Sequence, residues 1–174
     1  MIELCGEKVC LHTLEREHCR VLWEAYEPTE PLPTAPLTAG LSVEGADKWF
    51  DEIQANQGRE QVYLGIFTCD GTLIGDIQLA QIDWRHRTAS LGLGIARAAD
   101  RQHGYGTGAT LTLVRYGFDH LNLYRIAART LAFNTGMQRV LEKCGFVLEG
   151  RERQAVYIGG QRWDRLIYGL LRER

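Results

Sequence analysis

Glycine stands at positions 104, 106 and 108, where the spacing of apolar residues changes from two to three or four. Upstream, Leu91, Leu93 and Ile95 alternate with Gly92 and Gly94, as one face of a strand does. Downstream, Leu111, Val114, Phe118 and Leu121 recur at helical spacing and predict a helix from Tyr105 to about His120. A glycine-rich turn between strand and helix lets the backbone approach a ligand closely. The helix N-terminus beyond it adds positive dipole character. Arg101, Gln102, His103, Gly104, Tyr105, Gly106 and Thr107 therefore form a candidate anion site suited to a pyrophosphate. On spacing alone, a glycine-rich turn with no ligand is the competing reading.

The rest of the chain supplies a sheet around this turn. Lys8 to His12 reads as a strand. Thr13 is a candidate cap for a helix running to Tyr26, with Val21, Leu22, Ala25 and Tyr26 on one face. Pro28, Pro31, Pro33 and Pro36 end that helix in a surface loop. A second helix is expected from Glu44 to Gln57 on Ala46, Trp49, Phe50 and Ile53. Strands follow at 61–68, 73–82 and 89–96, the first two joined at Asp70-Gly71. Tyr124 to Ala132 is a further strand. Asn134 caps a short helix ended by Gly145, and 146–157 and 161–171 close the chain as a hairpin about Gly159-Gly160. The expectation is a single domain over 1–174: an α+β architecture with a mixed, mostly antiparallel central sheet and helices on both faces. The crossover 89–96, 105–120, 124–132 makes one parallel pair.

Composition narrows the functional classes. A formal net charge of -2 argues against a nucleic-acid partner, which needs a basic excess. No stretch has the length or apolarity to cross a bilayer, and the N-terminus shows no leader pattern. The 5 cysteines are scattered and show no Cys-x-x-Cys spacing. That predicts neither a disulfide framework nor a metal site, and a cytoplasmic location. Cys144, among apolar neighbours, reads as a buried thiol.

Two nucleotide motifs fail in context. Gly104-x-Gly106-x-x-Ala109 fits a dinucleotide fingerprint but follows a meander instead of opening a βαβ unit. A phosphate-binding P-loop needs Lys-Ser/Thr after its last glycine, and the sequence has none there.

Arg101-x-x-Gly104-x-Gly106 resembles the acetyl-CoA pyrophosphate loop of the GNAT superfamily of N-acetyltransferases. Asn134-Thr-Gly-Met-Gln-Arg-Val-Leu-Glu-Lys-Cys-Gly-Phe146 is similar to that superfamily's second conserved block. Its spacing, Leu123-Tyr-Arg-Ile126 before it, and the ending Gly160-x-x-x-Asp164 and Tyr168-x-Leu170-Leu171 resemble the RimJ/RimL-like branch, which acetylates ribosomal proteins. The likeness spans nearly the whole chain, though the first sixty residues match only in outline.

The resemblance implies a GNAT fold and acetyl transfer from acetyl-CoA to a primary amine: a protein N-terminus, a polyamine, an aminoglycoside or another small amine. It also implies a homodimer. CoA would be held by Leu93, Ile95, the 101–107 loop and Asn134. Its pantetheine arm would lie along the 89–96 strand like an added strand. A backbone N–H near Leu93 or Ile95 would hold the oxyanion. Gly92 and Gly94 would leave one side of that strand bare for a ligand.

The catalytic groups depart from the family pattern. Positions 137 and 141, where relatives carry a Ser or Tyr acid, hold Met137 and Leu141. Ser90 stands where relatives often carry a Glu. Asp76 and Asp83, and Glu24 or Glu27 near the proline loop, are candidate bases. His86 and His103 are further candidates for proton transfer, and Trp84 and Trp163 are candidates to line an acceptor pocket. The missing acid motivates a second reading, a non-catalytic acyl-CoA-binding domain.

Overall fold

The computed structural model describes residues 2–26 and 42–173. Eight strands form one sheet in the order β1-β2-β3-β4-β5-β6-β8-β7. They are β1 (Glu3–Cys5), β2 (Val9–Thr13), β3 (Val62–Thr68), β4 (Leu73–Asp83), β5 (Thr88–Ile95), β6 (Arg125–Leu131), β7 (Val147–Ile158) and β8 (Gln161–Leu171). The helices are α1 (Arg16–Ala25), α2 (Glu44–Asn56), α3 (Tyr105–Asp119) and α4 (Thr135–Lys143), with a 3₁₀ turn at Ala98–Asp100. The β5–β6 pair is parallel and the other neighbours are antiparallel. The expected α+β plan and crossover are therefore present.

Alternation along β3 shows how the sheet builds two cores. Val62, Leu64 and Ile66 join a cluster with Ala109, Leu113 and Val114 of α3 and Leu141 of α4. Tyr63 joins a second cluster with Cys19, Leu22 and Ile53 of α1 and α2. Residues of one strand that differ by one point to opposite faces, so α3 and α4 cover one face and α1 and α2 the other.

Several sequence expectations need correction. The strand β1 escaped the periodicity reading because three residues are too few to show a period. Thr13 does not cap α1. Its Oγ1 accepts from Ile2 N (2.7 Å) and ties β1 to β2, while Glu15 takes the cap position and its N–H donates to His18 Nδ1 (3.1 Å). Val21 and Leu111, assigned to inward faces, are 40% and 45% exposed. Buried Ala109, Thr110, Leu113 and Gly117 define the inner face of α3 instead. The proline loop at 28–36 and Glu27 lie outside the described residues. Cys5 and Cys10 are joined as a disulfide, against the expectation of no disulfide framework. They lie directly opposite each other across the β1–β2 ladder, a proximity that a count of scattered cysteines does not reveal.

Candidate active site

The sheet opens beside the glycine loop. Antiparallel pairing holds β5 to β4 along its whole length, from Asp83↔Thr88 to Gly75↔Ile95. On its other edge β5 pairs with β6 only from Thr88↔Arg125 to Leu91↔Ala128. Beyond that the strands diverge, and Gly92–Ile95 lose their β6 partner. The Ala96 N–H is bonded to Ile74 O of β4 (2.9 Å). Peptide groups alternate along a strand, so Leu93 and Ile95 direct their N–H and C=O groups to the divergent side. That slot offers an extended ligand a backbone ladder.

The end of the slot is built by the 101–107 loop. Gln102 (φ 66) and Gly104 (φ 83) take left-handed backbone and turn the chain into α3. Gly104 is the N-cap and supplies no side chain, so the first-turn N–H groups of α3 point outward uncapped. Such an uncapped N-terminus, with the helix dipole behind it, has the polarity to suit an anion. Gly106 leaves room between β5 and α4. A Cβ there would stand 3.3 Å from Leu93 Cδ2 and 3.5 Å from Val140 Cγ2, between β5 and α4. Thr107 O receives the Cys144 Sγ (3.7 Å), and burial pushes that thiol up to about 11, so Cys144 is the inert buried thiol expected.

Other loop side chains turn elsewhere. Arg101 donates through Nε (3.3 Å) and Nη2 (3.2 Å) to Ile95 O, pinning the loop to the end of β5. This engages the carbonyl of Ile95 and leaves Leu93 with both backbone groups on the slot side. His103 Nε2 lies 3.1 Å from Ala99 O, its ring leans on Tyr105, and its carbonyl accepts from Lys8 Nζ (3.1 Å). Lys8 was not anticipated, because this residue of the β1–β2 turn lies ninety-five positions from His103 in sequence. Asn134 caps α4, its Oδ1 accepting from Met137 N (3.0 Å).

The opposite face of β5 is polar. Gly92 and Gly94 were expected to leave it bare, but the protein's own side chains fill it. Gln78 lies over Gly92, and a Cβ on Gly94 would overlap the Tyr26 hydroxyl. The Tyr26 hydroxyl donates to Asp76 Oδ1, and Tyr63 donates to Asp76 Oδ2 (2.7 Å). Burial drives the Asp76 carboxyl above the ordinary range, and the two tyrosine hydrogen bonds only partly oppose it. Burial first, then the neighbouring Asp76, raises both tyrosines well above the usual phenol value, so they stay protonated. Cys19 is pushed up to about 12 by burial and then by Asp76.

The remaining candidates do not gather here. Ser90 shares the Gly92–Gly94 face but lies four residues, roughly 13 Å, along β5 from Gly94. Asp83 is engaged by exposed His86, whose Nδ1 is 2.8 Å away. Trp84 is exposed and donates to Arg59 O (2.7 Å), while Trp163 packs edge-on against Phe133. Leu141 is fully buried and Met137 packs on the same core, so neither position holds a proton donor. Tyr26 was missed as a functional residue. As the last position of an amphipathic helix it read as packing, and its contact with Asp76 spans fifty residues.

Residues 8–147 match the family model described as an acetyltransferase (GNAT) domain. The probable N-acetyltransferase YjcK of Bacillus subtilis is 38% identical over 133 residues, covering 75% of this chain and 73% of that protein. The putative ribosomal N-acetyltransferase YdaF of the same organism is 35% identical over 103 residues, 59% of this chain and 56% of its own length. The Mycobacterium smegmatis RimJ structure in complex with CoA-disulfide superposes with a TM-score of 0.84 at 19% identity, covering 98% of this chain and 87% of that one. At that identity the superposition speaks for the fold. The chain belongs to the GNAT acetyltransferase family. It is an N-acetyltransferase, and its relatives accord with the RimJ/RimL-like branch read from its motifs.

Proposed function

We propose that this protein transfers the acetyl group of acetyl-CoA to a primary amine that approaches across the Gly94 face of β5. The observation that carries this is the divergence of β5 from β6 after Leu91↔Ala128, directly beside the uncapped N-terminus of α3. The residues suit the donor. The first-turn N–H groups of α3 would take the pyrophosphate, with Gln102, His103, Tyr105 and Thr107 around it. Leu93 and the Ile95 N–H would pair with the pantetheine amides, and Asn134 would border that arm from the other side. Arg101 contributes by holding the loop against Ile95.

The amine must lose a proton before its lone pair attacks the thioester carbonyl. Tyr26 and Asp76 supply the route. The amine proton passes to the Tyr26 oxygen as the Tyr26 proton passes to Asp76. A buried carboxylate with a raised pKa accepts it more readily than an exposed one. The Leu93 N–H is the donor placed for the oxyanion. With Leu141 and Met137 apolar, CoA leaves as a thiolate and takes its proton from water. A thiol pKa near ~8.5 makes that departure feasible. Ser90 plays no part in this route.

Relatives named for spermidine and for ribosomal acetylation define the first acceptors to try. The spermidine N(1)-acetyltransferase of Vibrio cholerae is 33% identical over 94 residues, 53% of each chain. The proposal is tested by following CoA thiol release with spermidine, aminoglycosides and peptides with free N-termini. Turnover with at least one amine, lowered by about 10²–10⁴-fold in Asp76→Asn, is expected. Acetyl-CoA binding without turnover on any of them would favour the non-catalytic alternative. A cytoplasmic homodimer completes the proposal. Among the described residues no helix is long and apolar enough to cross a membrane. β7 is the edge strand of the sheet, so its outer backbone edge offers a ladder for self-association. Sedimentation would report the dimer.

A further inference from the structure

The β1–β2 ribbon carries donor side chains that the acetyl-transfer route does not use. Cys5 stands opposite Cys10, and Glu3 stands opposite His12. Cross-strand partners share a face, and residues two apart share a face, so all four project to one side. Leu4, Val9 and Leu11 fill the other side, against the α3 core. The donor atoms of Cys5, Cys10 and His12 lie within 4.8 Å of one another. His12 Nε2 is 4.0 Å from Glu3 Oε1, and the His12 ring is held edge-on against Phe67 at 5.0 Å. The cluster opens onto a groove of about 480 Å3 that also borders His18 and Cys69, which gives an ion a path in.

A disulfide accounts for two of these residues and leaves the other two unexplained. Cys5-x4-Cys10 lies within the Cys-x2–4-Cys spacing of zinc knuckles, and His12 follows two residues later on the same face. Two thiolates, an imidazole and a carboxylate form a borderline-soft set that favours zinc over magnesium or calcium. Tetrahedral zinc at thiolate bond lengths places two sulfurs ~3.8 Å apart. Side-chain rotation allows that for a cross-strand pair with Cα atoms 4.1 Å apart. The ribbon is itself fixed by Gly6 N to Val9 O (2.9 Å) and by Lys8 Nζ to His103 O, so the donors are preorganised.

We propose that, once Cys5–Cys10 is reduced, Cys5, Cys10 and His12 bind a zinc-class divalent ion with Glu3 as fourth ligand. The site is separate from the CoA slot and does not depend on the acetyltransferase reading. Reduction delivers two electrons and two protons from a dithiol, which departs as its own disulfide. Each thiol then releases its proton as the metal binds.

The test uses the full chain, reduced, freed of reductant without oxygen, and titrated with Zn²⁺ against a chromophoric chelator. Co²⁺ serves as a spectroscopic probe. The expected result is one equivalent bound at submicromolar affinity, with a thiolate-to-cobalt charge-transfer band. Affinity should fall roughly 100-fold in Cys5→Ser/Cys10→Ser and roughly 10-fold in His12→Ala, and the disulfide form should bind none. Reduced wild type binding no better than the double variant would overturn the site, as would a cobalt complex without the charge-transfer band. If the double variant fails to fold, His12→Ala decides, since His12 lies outside the core. Unchanged zinc affinity there removes the imidazole and with it the proposal.

Discussion

The two edges of β5 behave differently, and the proposed site lies along the open one. Toward β4 the strand is paired from Thr88 to Ile95. Toward β6 it is paired only to Leu91. The closed edge uses its backbone groups for stability. On the open edge Arg101 takes the Ile95 carbonyl, Leu93 has no β6 partner, and the glycine loop lies at the end of the opening. The two faces of the same strand repeat the contrast. Leu91 packs in the α3 core with Leu93 against it, while Gly94 makes room for Tyr26 and Asp76. A single strand thus carries structure on one edge and face, and the proposed chemistry on the other.

Substitutions on the chemical side should spare the fold. Asp76→Asn removes the proton acceptor, and kcat should fall by about 10²–10⁴-fold. The pH profile adds a sign. The wild-type kcat/KM should rise with pH through a pKa held above the usual carboxyl range, because the route needs the ionised form. Stability runs the other way. A carboxyl whose folded pKa is raised keeps its proton longer in the native state, so native stability falls as pH climbs from about 4 through the folded value. Thermal melts should show that decline in wild type and not in Asp76→Asn. A flat wild-type curve would mean Asp76 is not desolvated.

Gly94→Ala displaces the Tyr26 hydroxyl from its place over β5. We expect kcat to fall roughly 100-fold, about 2.7 kcal/mol of barrier, with acetyl-CoA affinity nearly unchanged. An equal loss of affinity would move Tyr26 into the CoA site. On the structural edge the pattern should invert. Ile77→Ala, fully buried on β4 opposite Leu93, should cost about 2–5 kcal/mol of stability by chemical denaturation. Molecules that remain folded should bind acetyl-CoA normally. Asn134→Ala loses the cap on Met137 N and should cost about 1 kcal/mol. Acetyl-CoA affinity measured beside it separates capping from a contact with the pantetheine arm.

This asymmetry also sets what the sequence could reveal. The glycine loop, the alternation of Leu91, Leu93 and Ile95, and the crossover into α3 are local patterns, and the strand, turn and helix they predicted are present. Asn134 and Gly145 marked both ends of α4 for the same reason. The polar face was assembled from α1, β3 and β4. Tyr26, Tyr63 and Asp76 are far apart in the chain, and no local period links them. Asp76 was legible as a candidate, but its two tyrosine partners were not. Ser90, chosen by its place in a motif, shares the face but not the position. The role of Arg101 likewise depended on where its side chain turned, which a motif does not fix. The Cys5–Cys10 pairing was hidden by an odd cysteine count that treated all five alike.

The open edge of β5 and the uncapped end of α3 are the proposed seat of the acetyl donor. Isothermal titration of acetyl-CoA, CoA and ATP into wild type and Gly106→Glu tests this placement most directly. The side chain introduced at 106 would press on Leu93 and Val140 at the mouth of the slot. The account predicts micromolar binding of both CoA forms by wild type, weak or no binding of ATP, and loss of CoA binding in a variant that keeps its native circular dichroism. Wild type that ignores CoA, or a folded Gly106→Glu that binds it as well as wild type, would contradict the account.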